Sequence, residues 1–166
     1  MIIIPAVDIK NGQCVRLAQG DFGRVTIYSE NPPEMARLWA EKGAERIHIV
    51  DLDGSVAGLP QNAQVIVDIA GTVDVPIEVG GGIRNMETID YYLDNGVANV
   101  ILGTAAVLDG EFVRRAAKKH PGKIILGMGD GCTGVTWTGE FPVKDYEVSL
   151  EAQKVSGNDF FCGLTF

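Results

Sequence analysis

The sequence predicts an α/β fold of the (β/α)8 barrel type, and three observations carry that prediction. Short apolar runs alternate with amphipathic stretches in the order βαβαβαβαβ, which implies a parallel sheet with right-handed crossovers. Four crossovers of similar length, with no switch in pattern, favour a barrel over an open doubly wound sheet. Gly43, Gly71, Gly96 and Gly122 fall at or just after the ends of the amphipathic stretches, where a left-handed C-cap residue is wanted.

The first strand is expected over residues 2–7 (IIIPAV), with Asp8 closing it. Residues 32–42 are expected to be helical, because Met35, Leu38 and Trp39 recur at helical spacing and two prolines suit a first turn. The second strand covers residues 46–50. A helix over residues 62–70 follows, with Val65, Ile66 and Ile69 as its buried stripe and Asn62 as its N-cap. The third strand spans residues 75–79, and Asn85 caps a helix carrying Met86, Ile89 and Leu93. The fourth strand spans residues 99–102, and Asp109 caps a helix carrying Phe112, Val113 and Ala116. Residues 123–128 form the fifth strand. In the tail, residues 146–155 are expected to be helical, with Ser156 and Gly157 as cap and residues 160–166 as a sixth strand. A complete barrel of this kind takes about 250 residues, so a single incomplete barrel domain of five or six strands is expected over residues 1–166.

Composition narrows the function. The chain is 46% hydrophobic and 22% charged, as expected of a globular domain. Its net charge of −8 argues against nucleic acid as a partner, since phosphate backbones require a basic surface. No apolar run approaches the roughly 18 residues of a membrane span, and no signal peptide is expected. Three cysteines at scattered spacings (Cys14, Cys132 and Cys162) suggest neither a disulfide framework nor a zinc site, so a cytoplasmic location is expected.

In barrels the reacting groups sit where strands end and βα loops begin. Asp8 is followed by three residues and Gly12, and Asp130 by three residues and Gly134, each after an apolar run. An acid at a strand end often only anchors a turn. The repetition at strands one and five, about half a barrel apart, favours a general base and a general acid serving one substrate. Arg16 is expected a little further along the first loop. Asp51, directly after the second strand, is placed to orient a substrate hydroxyl, while Asp53 closes the loop before Gly54. His48 lies inside that strand and is expected to be a wall residue. Gly81 and Gly82 with Arg84, and Gly103 with Thr104, lie at adjacent strand ends that lead into helices. Two glycine-rich loops side by side point to backbone N–H groups that hold a phosphate.

At these residues the sequence resembles the phosphoribosylformimino-aminoimidazole carboxamide ribotide isomerases of histidine biosynthesis. The matching stretches are IIPAVDIKNGQCVRLAQGDFG, RIHIVDLDGSVAG, PIEVGGGIRN and VILGTAAV, within residues 1 to about 128. The resemblance implies an Amadori rearrangement of a phosphorylated aminoaldose to the aminoketose, without metal or organic cofactor. It implies Asp8 as proton acceptor and the fifth-strand acid as proton donor. A general acid protonates the ring oxygen to open the sugar, and a base then removes the proton from C2. Gly81, Gly82, Gly103 and Thr104 would hold one phosphate, with charge from Arg16 and Arg84.

The family pattern departs at the fifth strand, which ends Gly127-Met128-Gly129-Asp130. Alignment on the strand puts Gly129 at the acid position, and alignment on the Asp-x-x-x-Gly loop puts Asp130 there. A one-residue slip turns a side chain to the other face, so Asp130 fits only with a bulge. The expected partner is a small phosphosugar, with no nucleic acid or membrane. Self-association through unpaired barrel edges is a further expectation, and an inactive half-barrel that binds a phosphosugar is the alternative to an isomerase.

Overall fold

The computed structural model describes residues 4–127, all within one compact unit, Met1–Val135. Asp130, Cys132 and Cys162, the expected helix at 146–155 and the expected strand at 160–166 lie outside the described residues.

Seven strands form one sheet in the order β3-β2-β1-β4-β5-β6-β7. Five are the expected parallel strands: β1 (Ala6–Lys10), β4 (Ile47–Asp51), β5 (Ile77–Gly80), β6 (Asn99–Leu102) and β7 (Ile124–Leu126). Between them run α1 (Pro32–Glu41), α3 (Ala63–Thr72), α4 (Met86–Asp94) and α6 (Gly110–Lys119). Alternate residues turn to the helices and are buried: Val7 and Ile9, Ile47 and Ile49, Ile77 and Val79, Val100 and Leu102. Ile66, Ile69, Ile89, Phe112 and Ala116 close that core from the helix side.

Local chemistry explains the helix starts. The Asn31 side chain accepts from Glu34 N at 3.3 Å ahead of two prolines, Asn85 accepts from Thr88 N at 2.8 Å, and Asp109 accepts from Phe112 N at 2.8 Å. Lys118 and Lys119 close α6 where its dipole favours cations. Asn62 corrects an expectation. It holds the N-cap position of α3 but makes no capping hydrogen bond with its side chain, because that amide is engaged in the site described below.

A hairpin occupies what was expected to be loop. β2 (Gln13–Ala18) and β3 (Asp21–Ser29) run antiparallel, and β2 pairs with β1 over Asp8–Lys10. Asn11 and Gly12 have φ of 50° and 75°, and Gln19 and Gly20 have 56° and 76°. Both pairs fit the left-handed two-residue turns that match strand twist. Arg16 therefore lies within a strand. The edge of β1 away from β4, expected to be open, is covered over these residues. Two short helices, α2 (Leu52–Ala57) and α5 (Thr104–Leu108), also stand where loops were expected.

One core group is unsatisfied. Tyr92 is fully buried and its hydroxyl has no hydrogen-bond partner among the described residues. Burial, with the nearby Asp51 charge, pushes its ionisation well above that of a free phenol. Tyr92→Phe should therefore stabilise the fold by about 1 kcal/mol in denaturant titration, since it removes a desolvated hydroxyl and keeps the ring. A loss of stability would show that the hydroxyl is bonded in solution.

Candidate active site

Asp8 does not close its strand. Pairing with β2 carries β1 on to Lys10, and Asp8 sits opposite Val15 on one side and Val50 on the other. Val50 is the penultimate residue of β4, so Asp8 still belongs to the carboxyl end of the parallel sheet. It is half-buried and occupies the face opposite the helices. Burial raises its carboxyl above the ordinary aspartate value, and the charges of His48 and Arg16 partly oppose that shift. A carboxylate moved towards neutrality is a stronger proton acceptor than a free one. Cys14 is no competing nucleophile, because it is buried and its thiol is pushed up to about 11.

Asp51 and Asp53 both hold the second βα loop, and Asp51, expected to orient a substrate hydroxyl, is the more deeply engaged of the two. Asp51 is fully buried and caps α2. Its Oδ1 accepts from Gly54 N at 2.8 Å and from Asn62 Nδ2 at 2.7 Å, and its Oδ2 accepts from Gln61 N at 2.8 Å and Asn62 N at 3.0 Å. Four donors fill the carboxylate, so this geometry gives Asp51 a structural task in place of a substrate hydroxyl. Asp53 accepts from Asn11 N at 2.6 Å and from Asn62 Nδ2 at 2.9 Å, while Asn62 Oδ1 accepts from Gly12 N at 2.9 Å. The second βα loop thus pins the Asn11-Gly12 turn directly after the strand that bears Asp8. A cleft of about 610 Å³ opens beside this turn, lined by Lys10, Asn11, Phe22, Asp53, Val56 and Asn62 among others.

The two glycine loops differ in why they need glycine. Gly81 and Gly82 have φ of 105° and 74°. A Cβ at Gly81 would overlap the Asp51 backbone, and one at Gly82 would stand 2.5 Å from the Gly54 carbonyl oxygen. Close packing on the Asp51 cap accounts for both. Gly103, just before α5, has φ of −90°, and a Cβ there would meet nothing within 4 Å. Packing therefore does not account for Gly103, whose backbone stands open on that side. The N–H groups of Gly103 and of the exposed Thr104 donate to no acceptor among the described residues. Arg84 is exposed, and its guanidinium lies against Gly58 at the carboxyl end of α2.

The structure thus gathers Asp8, Arg16 and His48 within electrostatic reach, and Gly81 and Gly82 against Asp51. Among the described residues no cluster of three metal-ligating side chains is present, and no helix is long and apolar enough to cross a membrane.

Comparison with known proteins bears on the family of the chain. The chain is 54% identical over 153 residues to a phosphoribosyl imidazole-4-carboxamide isomerase of Syntrophus aciditrophicus, covering 90% of this chain and 63% of that protein. Relatives of the same name are 48% identical in Burkholderia thailandensis, over 93% of this chain and 62% of theirs, and 52% identical in Afipia carboxidovorans, over 77% and 52%. The chain spans between about half and two thirds of the length of these curated relatives. The model of the family described as histidine biosynthesis protein matches residues 2–159, and the chain belongs to that family of (β/α)8 barrels.

Proposed function

We propose that this protein is an aldose–ketose isomerase of histidine biosynthesis, acting in the cytoplasm on a phosphorylated ribosyl-aminoimidazole carboxamide. The observation that carries the proposal is Asp8: a half-buried carboxyl at the carboxyl end of the parallel sheet, its affinity for protons raised, beside His48 and Arg16. The names of its relatives support the same reading. In it Asp8 removes the C2 proton, and Asp130 protonates the ring oxygen. The donors around Gly103 and Thr104 take one phosphate, with Gly81, Gly82, Arg16 and Arg84 bordering the ligand and supplying charge. No metal or organic cofactor enters these steps.

Restoration of growth to a histidine auxotroph lacking the isomerase, together with turnover by the purified chain, tests the proposal. Soluble expression without either would refute it. The two glycine loops yield a finer test. Gly103→Ala, whose Cβ meets no neighbour, should cost less stability than Gly82→Ala and raise KM about tenfold, as when an added methyl keeps the ligand from one charge-assisted hydrogen bond. Gly82→Ala should instead cost about 2 kcal/mol of stability, because its side chain meets backbone at positive φ. Equal stability losses in the two variants would argue that both loops are merely structural.

A further inference from the structure

The face of the sheet that carries Asp8 also carries a connected row of polar side chains with no part in the steps above. Arg46 donates from Nη1 to Asn99 Oδ1 at 2.7 Å and lies 3.5 Å from Glu78 Oε2. Glu78 Oε1 stands 2.9 Å from His48 Nδ1, and Asn99 Nδ2 donates to the Gly122 carbonyl at 3.0 Å. Register explains the row: Ala6, His48, Glu78 and Asn99 are successive partners across β1, β4, β5 and β6. Asp8 is the next residue of β1 on that face. Only 13% of the Glu78 side chain is exposed, so its contacts with Arg46 and His48 hold it in a partly dry setting where hydrogen bonds fix geometry firmly.

An ionised carboxylate accepts and cannot donate. The ring nitrogen that meets Glu78 must therefore carry the proton, and in the neutral imidazole Nε2 is then the bare nitrogen. Nε2 has no partner among the described residues. We propose that Glu78 is a positioning residue for the isomerisation, fixing the His48 ring in its Nδ1–H form on the rung next to Asp8. The charges of His48 from β4 and Arg16 from β2 reach Asp8, while Glu78 from β5 and Lys10 further along β1 share its face of the sheet. Of these, His48 is locked in place by a strand that holds no catalytic residue. The inference rests on Asp8 being the base.

The chain has two histidines, which makes the test direct. His120 meets Asp90 through Nε2 at 2.7 Å, so its neutral ring is expected in the opposite tautomer. In ¹⁵N spectra at a pH where both rings are neutral, His48 should show Nδ1–H and His120 Nε2–H. Glu78→Met should release His48 alone, the unchanged His120 signal reporting an intact fold, and Glu78→Gln, still an acceptor, should restore the Nδ1–H form. In turnover, Glu78→Met should lower kcat about tenfold with KM within about twofold. His48→Gln should lose as much, and the double variant no more than either. An Nε2–H tautomer for His48 in the parent chain, or losses that multiply in the double variant, would overturn the inference. A parent chain without turnover would overturn the proposed isomerase instead, and the spectra would still decide whether Glu78 sets the ring.

Discussion

Asp8→Asn is expected to abolish isomerisation and, at the same time, to make the protein more stable at neutral pH. The first effect follows from chemistry: an amide cannot accept the C2 proton, and a positioned general base typically contributes 10²–10⁴-fold in rate. kcat should fall by about that factor, while affinity for the phosphate end of the substrate stays nearly unchanged. The second effect follows from linkage. Burial raises the Asp8 carboxyl in the folded chain, so the folded state binds this proton more tightly than the unfolded one. The contribution of Asp8 to stability is therefore complete below the ordinary aspartate value and is lost as pH rises through the raised one. At neutral pH the ionised group is a net cost, which Asn removes. Melting curves at pH 7 should shift upwards in the variant, and the gain should vanish on acidification. A variant that loses activity and stability together would mark Asp8 as a structural acid.

That pairing of effects separates a site residue from a scaffold residue. The parallel strands and four long helices are legible because burial periodicity agrees with the caps at Asn85 and Asp109 and with the prolines that open α1. The β2–β3 hairpin is harder to read, although its signals are present. Asn11-Gly12 is a strong two-residue hairpin signature, and Gln13 to Ala18 is a compact strand-length run. No residue of β3 is buried, so no core-facing apolar alternation advertises it. The short helices α2 and α5 were hidden for another reason: at six and five residues they are held by the Asp51 cap and by packing, with too few turns to show a period.

Within the site, Asp8 was legible from its place after an apolar run. The division of labour between Asp51 and Asp53 was not. Both follow the same strand, and only the side-chain amide of Asn62, distant in sequence, decides which carboxylate is filled. Glu78 was missed because an acid inside a β-strand has no local signature. Its meaning arises from His48 and Asn99 on neighbouring strands and from Arg46 just ahead of β4.

The largest stability effect is expected at Asp51. In Asp51→Asn one oxygen is retained, but the new NH₂ group opposes two of the four N–H donors that converge there. Each buried donor left without an acceptor costs about 1–3 kcal/mol, so a loss on the order of 3 kcal/mol or more is expected. For a domain of this size that lowers the melting temperature by roughly 10 °C. The damage should spread along a defined route. Asn62 would lose its anchor, and with it the hold on Gly12 and on Asp53. Gly81, packed on the Asp51 backbone, would lose its support. Amide exchange should therefore accelerate at Asn11, Gly12 and Gly54 before it does in α4 or α6. Asp53→Asn, which touches only the partly exposed half of this network, should cost less than about 1.5 kcal/mol. If Asp51→Asn melts with the parent chain and weakens only substrate binding, the carboxylate contacts substrate after all, and the first expectation for this residue is restored.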